Sequence, residues 1–550
     1  MTLGLGVSMF LPARFATNDD TQIMLALSGH LTGGPGRSDV YFQSILGAEP
    51  IRYLFAKLPI LNWYTLRLAL SHVLAMTCAA YLVFRVATTR LAWSLVLLLF
   101  VTFDLYFLTS LQFTQAAAAM SAAGYLVLIA SERDLDGRHM AFAGFMCVLG
   151  ASIRFEAFML VSLILATSLG GRILRGPLRL RFLLSIASIA LVVAGMRIHD
   201  RAHYSADPEW REYLQFSRAV SRLKDTPWHW DDPELIDRVV AEVGWTDDTW
   251  WLFDNWYFQD PEVMTPQAVA RLADELGFWL SWKGVLGTVL YQARAPFREL
   301  GFMWPVLAIA AVPFLYVVPR ERMERYVWRL GIAYVPCGAL IASMIATQKF
   351  PARISVSMAY TLGALTVLEV VRAVTNSPGR PVRGIRTRLL AVGATLIVAG
   401  SCVSVALITL RTAEEARTNR ELESALLADP DMVYALGMSG YLDTFRPWRN
   451  PAHLELKLFP SAGFWRTPFV GEVLRRQLGE ESWLEALGTN DRIRLVGVEP
   501  FFEALRGHYR HFHGIQLKFT PVQRYRDLIT VQVERAEERL PRDPERPDRQ

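Results

Sequence analysis

The chain has 550 residues, 52% of them hydrophobic and 20% charged, with a mean hydropathy of +0.23. That composition excludes a disordered chain, a collagen and a small disulfide scaffold. The formal net charge of +5, from 57 basic and 52 acidic side chains, is too balanced for a surface built to grip nucleic acid. The apolar residues gather instead into runs near bilayer-spanning length, the pattern of an α-helical polytopic membrane protein.

In chain order, Met1 to Leu11 is apolar but only about half a span long. It has no basic flank and no clear small-residue cleavage site, so it reads as the remainder of a first span rather than a signal peptide. Further apolar runs fall at 63–86, 91–109, 112–130, 139–153, 155–170, 182–198, 301–318, 327–346, 354–374 and 388–410, an expected total of eleven spans. The cysteines Cys78, Cys147, Cys337 and Cys402 all lie inside these runs, which makes them small core residues rather than metal ligands or disulfide partners. The domain reading is an N-terminal transmembrane module with a first outer loop (1–198), a Trp-rich helical segment ending in a membrane-surface helix near 276–293 (199–300), and a second transmembrane module (301–410). A small α/β domain (411–540) and a charged, disordered tail (541–550) follow.

The stretch 139–170 sets the topology. As one straight helix it would run about 48 Å, well beyond a hydrocarbon core of about 30 Å. Both its flanks are basic, Arg133 and Arg138 before it and Arg172, Arg175, Arg179 and Arg181 after it, so a hairpin broken at Ala151–Arg154 is expected. The short-loop cations then fall on one side, which becomes cytoplasmic. The segments 15–62, 199–300 and 411–550 go to the other face, with a C-terminus outside the cytosol.

Several groups of residues are able to carry chemistry. Asp19 and Asp20 follow the first span directly. Two adjacent carboxylates repel, so one tends to hold a proton or recruit a cation; the pair suits a general base or a divalent cation, and equally a helix N-cap. Asp104 lies within a span, and by depth it would meet Arg154 at the turn of the hairpin, beside Glu156; a structural ion pair explains the same residues. Lys349 and Arg353 share a short outer loop where they would hold a lipid phosphate or reach ordinary headgroups. Asp247 and Asp248 sit among tryptophans, as a sugar site or as part of a helical core. His508, His511 and His513 read as a basic, solvated loop. No P-loop, GxSxG elbow or HExxH is present.

An acidic pair directly after a first span, Arg-flanked helical hairpins, a later large outer segment and an outer C-terminal domain together resemble the GT-C superfamily of integral-membrane glycosyltransferases. The run Asn18-Asp19-Asp20…Met24…Ser28-Gly29…Thr32-Gly33…Pro35, followed by Ile45-Leu46-Gly47 and Trp63-Tyr64, also resembles a group of uncharacterised bacterial polytopic proteins. The resemblance implies a location in a bacterial cytoplasmic (inner) membrane and sugar transfer from a polyprenyl-phosphate-linked donor to a cell-envelope glycan or lipid, outside the cytosol. Asp19 or Asp20 would be the base, and Arg154, Lys349 or Arg353 would hold the carrier phosphate. No motif fixes the sugar, the acceptor, a metal or the oligomeric state. A transporter or flippase of an envelope lipid or polysaccharide, and a non-catalytic envelope scaffold, remain alternatives, although inverted repeats are absent.

Overall fold

The computed structural model describes residues 13–86, 90–131, 136–175, 179–224, 232–277, 303–316, 318–346, 351–376, 399–400, isolated positions from 403 to 417, 420–437 and 446–536. Among them six helices are long and apolar enough to cross a membrane: Trp63–Val86, Arg90–Thr109, Phe113–Ala130, Leu180–Ala206, Arg320–Met344 and Arg353–Thr375. Shorter apolar helices occupy Phe155–Gly170 and Pro305–Phe314. The expected spans at 1–11 and, for the most part, 388–410 lie outside the described residues, as does nearly all of the expected surface helix near 276–293.

The expected hairpin break is present. One helix runs Gly137–Ile153, the next starts at Phe155, and Arg154 between them is extended (φ −157°, ψ 113°). The helix Arg90–Thr109 holds a π-turn at Phe100–Asp104, a departure that its apolar sequence did not announce.

At the centre stands Phe113–Ala130, packed by Trp63–Val86, Gly137–Ile153, Phe155–Arg175 and Ala352–Thr375. Its small residues allow this, because backbones approach only where side chains are short. A Cβ on Gly124 would lie 2.5 Å from the sulfur of Cys147. At the far end of the bundle Arg372 donates to the carbonyls of Ile129 (3.2 Å) and Ala130 (3.1 Å), capping the central helix. Arg372 also pairs with buried Glu369 at 2.9 Å, and Arg329 pairs with the same carboxylate at 3.3 Å.

Beyond the bundle, four helices (Pro208–Lys224, Pro233–Glu242, Asp247–Asp254 and Pro266–Glu275) form a helical segment. Aspartate or threonine precedes each helix, and proline opens three of the four, where a missing N–H costs nothing. The segment packs on a five-stranded sheet: β1 (Val433–Leu436), β2 (Lys457–Leu458), β3 (Ile493–Gly497), β4 (Leu517–Tyr525) and β5 (Leu528–Arg535). The spatial order is β2-β1-β3-β5-β4, with β1 parallel to both β2 and β3, and β5 antiparallel to β3 and β4.

One expectation fails here. The histidine run is no solvated loop; it ends the helix Glu499–His513, which buries Phe501, Phe502, Leu505, His508 and Tyr509. Apolar residues at that spacing make one helical face, and Gly514 closes it in the left-handed region (φ 64°).

Glu369→Gln removes the charge shared by two arginines, so the unfolding free energy should fall by about 3 kcal/mol, read as a lower unfolding temperature in detergent. An unchanged transition would mean the cluster contributes no stability.

Candidate functional site

Where the chain meets the bundle, Arg14–Phe15 pairs in parallel with Ser110–Leu111, and the amide of Ala16 donates to the carbonyl of Leu111 at 2.9 Å. This short bridge delivers the helix Asn18–Ser28 to the N-terminus of the central helix. Adjacent side chains on a helix diverge by about 100°, so Asp19 and Asp20 face different surroundings.

Asp20 is fully buried and turned inward. Its Oδ1 accepts from the Tyr64 hydroxyl at 2.7 Å and from the amide of Phe113 at 3.1 Å, and its Oδ2 accepts from the Thr17 hydroxyl at 2.9 Å. The Phe113 amide is one of the orphan donors of the central helix, so Asp20 ties the helix Asn18–Ser28 to that terminus. Burial pushes the Asp20 carboxyl up to about 7, against the pull of the Tyr64 and Thr17 bonds.

Asp19 has none of these partners. Among the described residues it makes no hydrogen bond; what acts on it is burial, which pushes its carboxyl up, opposed by the guanidiniums of Arg353 and then Arg154. Arg353 comes from the first turn of Ala352–Thr375, and Arg154 from the break between two helices. Arg154 lies over the Phe113 ring at 4.7 Å and the Phe42 ring at 5.8 Å, with its Nε 3.7 Å from Glu156. Its Nη1 is buried without a hydrogen-bond partner. Arg197, 3.9 Å from Glu156, adds a third cation that the sequence reading missed. Tyr41 and Tyr213 meet edge to face at 5.7 Å beside this group, and Tyr213 feels the charge of Asp19.

The structure therefore gathers Asp19, Asp20, Arg154, Glu156 and Arg353, drawn from three separated stretches of chain. It leaves out three other residues. Asp104 is buried in the π-turn with neither carboxylate oxygen bonded. It does not meet Arg154, whose charged neighbours are Arg353, Glu156, Asp19 and Asp20; shared depth fixes position along the membrane normal, not around the bundle. Asp247 and Asp248 occupy the first turn of Asp247–Asp254, where carboxylates favour the helix dipole, and Asp248 faces the C-terminal domain beside His508. Lys349 lies outside the described residues.

The donor set at Asp19 and Asp20 does not suit a hard divalent cation. Such an ion needs about six oxygens, whereas Asp20 already accepts three hydrogen bonds and Asp19 faces two guanidiniums. The C-terminal domain closes over the same helix: Gln22 exchanges two 2.9 Å hydrogen bonds with the backbone of Ser461, and His30 Nε2 lies 2.9 Å from the carbonyl oxygen of Leu456. A cleft of about 590 Å³ lined by Arg37, Asp39, Arg52, His203 and Asp207 opens along the first loop.

No protein-family model and no curated protein matches this sequence. Two solved structures are similar over 96% of this chain and 96% of theirs. One is ArnT from Cupriavidus metallidurans bound to undecaprenyl phosphate, at 14% identity and a TM-score of 0.41. The other is the same protein in the apo state, at 13% identity and a TM-score of 0.43.

Asp20→Ala should cost about 1–3 kcal/mol, the penalty for stranding the Phe113 amide and the Tyr64 hydroxyl. Asp20→Asn keeps an acceptor and should cost less. Because burial raises the folded carboxyl, the wild type binds a proton more tightly when folded, so this group favours the fold at low pH and loses that contribution as pH climbs from 3.8 through about 7. Asp20→Asn should flatten that slope in a pH series of unfolding temperatures; an unaltered slope would assign it elsewhere.

Proposed function

We propose that the chain is a membrane glycosyltransferase of the GT-C type, passing a sugar from a polyprenyl-phosphate-linked donor to a cell-envelope glycan or lipid on the extracytoplasmic face. The observation that carries this reading is Asp19: a partly buried carboxylate with no hydrogen bond among the described residues, set opposite two arginines from two different helix ends.

A sugar activated on a lipid presents its phosphate at headgroup depth. In this reading the Arg154 and Arg353 guanidiniums hold that phosphate, and the unbonded Nη1 of Arg154 has a proton to give it. Asp19 takes the proton of the acceptor hydroxyl as its oxygen attacks the anomeric carbon. The bond from that carbon to the phosphate oxygen breaks, and the negative charge gathering on the leaving polyprenyl phosphate is stabilised by the two cations. Tyr41, Phe42 and Tyr213 offer ring faces for the sugar, and the cleft along the first loop offers polar groups for the acceptor. Lys349 would add a further cation. Asp20 in this reading positions the helix and touches no substrate.

A transporter or flippase is the second reading, and one observation favours it. His72 and Asp104 are buried in helices of spanning length, and neither ring nitrogen nor carboxylate oxygen of the two is hydrogen-bonded; unpartnered ionisable groups at that depth often mark a transport path.

Asp19→Asn should lower transfer by about 10²- to 10⁴-fold while expression and unfolding temperature hold, measured with a radiolabelled lipid-linked sugar and an acceptor pool from envelope extracts. Counter-ion-dependent flux in proteoliposomes without a covalent product would favour transport instead. The pH profile of turnover gives a second check. Activity needs ionised Asp19, so it should fall on the acid side; Arg353→Ala removes a cation that holds the carboxyl down and should move that limb to higher pH. A limb that stays in place would remove Arg353 from the surroundings of the base.

A further inference from the structure

We propose that Asp260, His508 and His513 form a binding site for a first-row divalent cation, zinc foremost, that clamps the outer helical segment to the C-terminal sheet domain. The inference is independent of the chemistry at Asp19.

The three side chains converge on one point. His508 Nε2 is 2.9 Å and His513 Nε2 2.5 Å from Asp260 Oδ2, and the ligand atoms all lie within 4.8 Å of one another. Two imidazole nitrogens and one carboxylate oxygen are a set that zinc accepts, with water as the fourth ligand. His508 and Asp260 are enclosed, and His513 retains 9% exposure at the helix end, which leaves a side open for that water.

The surroundings hold each ligand in a pose suited to metal. Asp260 Oδ1 accepts from the amides of Glu262 (3.1 Å) and Val263 (3.2 Å), which leaves Oδ2 facing the histidines. His508 Nδ1 lies 2.8 Å from the Thr249 hydroxyl, itself 3.0 Å from that of Thr246. Thr249 can accept from Nδ1–H, which fixes the tautomer that presents an Nε2 lone pair to an ion. Arg466 feels the charge of Asp260, but it is already paired with Glu212 at 2.9 Å. Tyr257 and Tyr509 face the same carboxylate as neutral hydroxyls. Gly507 lets the two elements close, since a Cβ there would come within 1.8 Å of Asp248.

The alternative occupant of this point is protons: both imidazoles would carry Nε2–H and share Oδ2. Titration separates the two. Full-length protein in detergent, stripped with chelator, should take up one zinc ion per chain by calorimetry, and cobalt should give the visible absorption of a tetrahedral nitrogen–oxygen site. His513→Gln should weaken zinc at least about tenfold, and Thr249→Val, which removes only the orienting hydroxyl, by about tenfold. Should His513→Gln fail to fold, Thr249→Val and the wild-type cobalt spectrum decide. No zinc uptake by the wild type, or equal affinity in wild type and Thr249→Val, would overturn the proposal in favour of the proton-bridged cluster.

Discussion

A carboxylate buried where the chain joins the bundle holds together the described residues around Asp19 and the start of the central helix. Asp20 accepts from Thr17, Tyr64 and the amide of Phe113, and so joins the helix Asn18–Ser28, the helix Trp63–Val86 and the terminus of the central helix in a single contact. Each donor would otherwise be left unsatisfied in an apolar setting, and the combined penalty of stranding them holds the arrangement together. Asp19, one residue earlier, is thereby turned toward the arginines.

The two central helices give this site its depth. Phe113–Ala130 begins at Asp20 and ends under Arg372, while Ala352–Thr375 begins at Arg353 beside Asp19 and carries Glu369 and Arg372 near its other end. From Arg353 to Arg372 the helix rises about 28 Å, close to one hydrocarbon thickness of about 30 Å. The cation–carboxylate group at Asp19 and the ion-pair cluster at Glu369 thus stand about one hydrocarbon thickness apart. In the proposed reading, a headgroup phosphate sits at that level.

Much of this was legible in the sequence because membrane spans are written locally. The runs 63–86, 91–109 and 354–374 lie on helices with nearly the same ends, and the break at Arg154 followed from length and flanking charge alone. Asp19 and Asp20 announced themselves by their place after an apolar stretch. What the sequence hid was direction around an axis. Nothing local says that Asp20 turns inward and Asp19 does not, or that Asp104 sits on a π-turn away from Arg154. Asp247 and Asp248 show a related ambiguity, since carboxylates before an aromatic helix look alike as ligands and as partners of a helix dipole. The histidines were hidden differently: the carboxylate that meets His508 lies 248 residues away in the chain, and a five-residue spacing between the two histidines matches no familiar metal motif.

The central claim is that Arg154 and Arg353 receive a lipid phosphate opposite Asp19. An electron cryo-microscopy structure of the full chain in nanodiscs containing a polyprenyl phosphate tests it most directly. The account requires phosphate density between the two guanidiniums, at about 3 Å from their nitrogens, with the lipid tail leaving between spanning helices and Asp19 facing the phosphate. Density at the Glu369 end of the bundle, or an Asp19 side chain turned into the acyl chains, would contradict it.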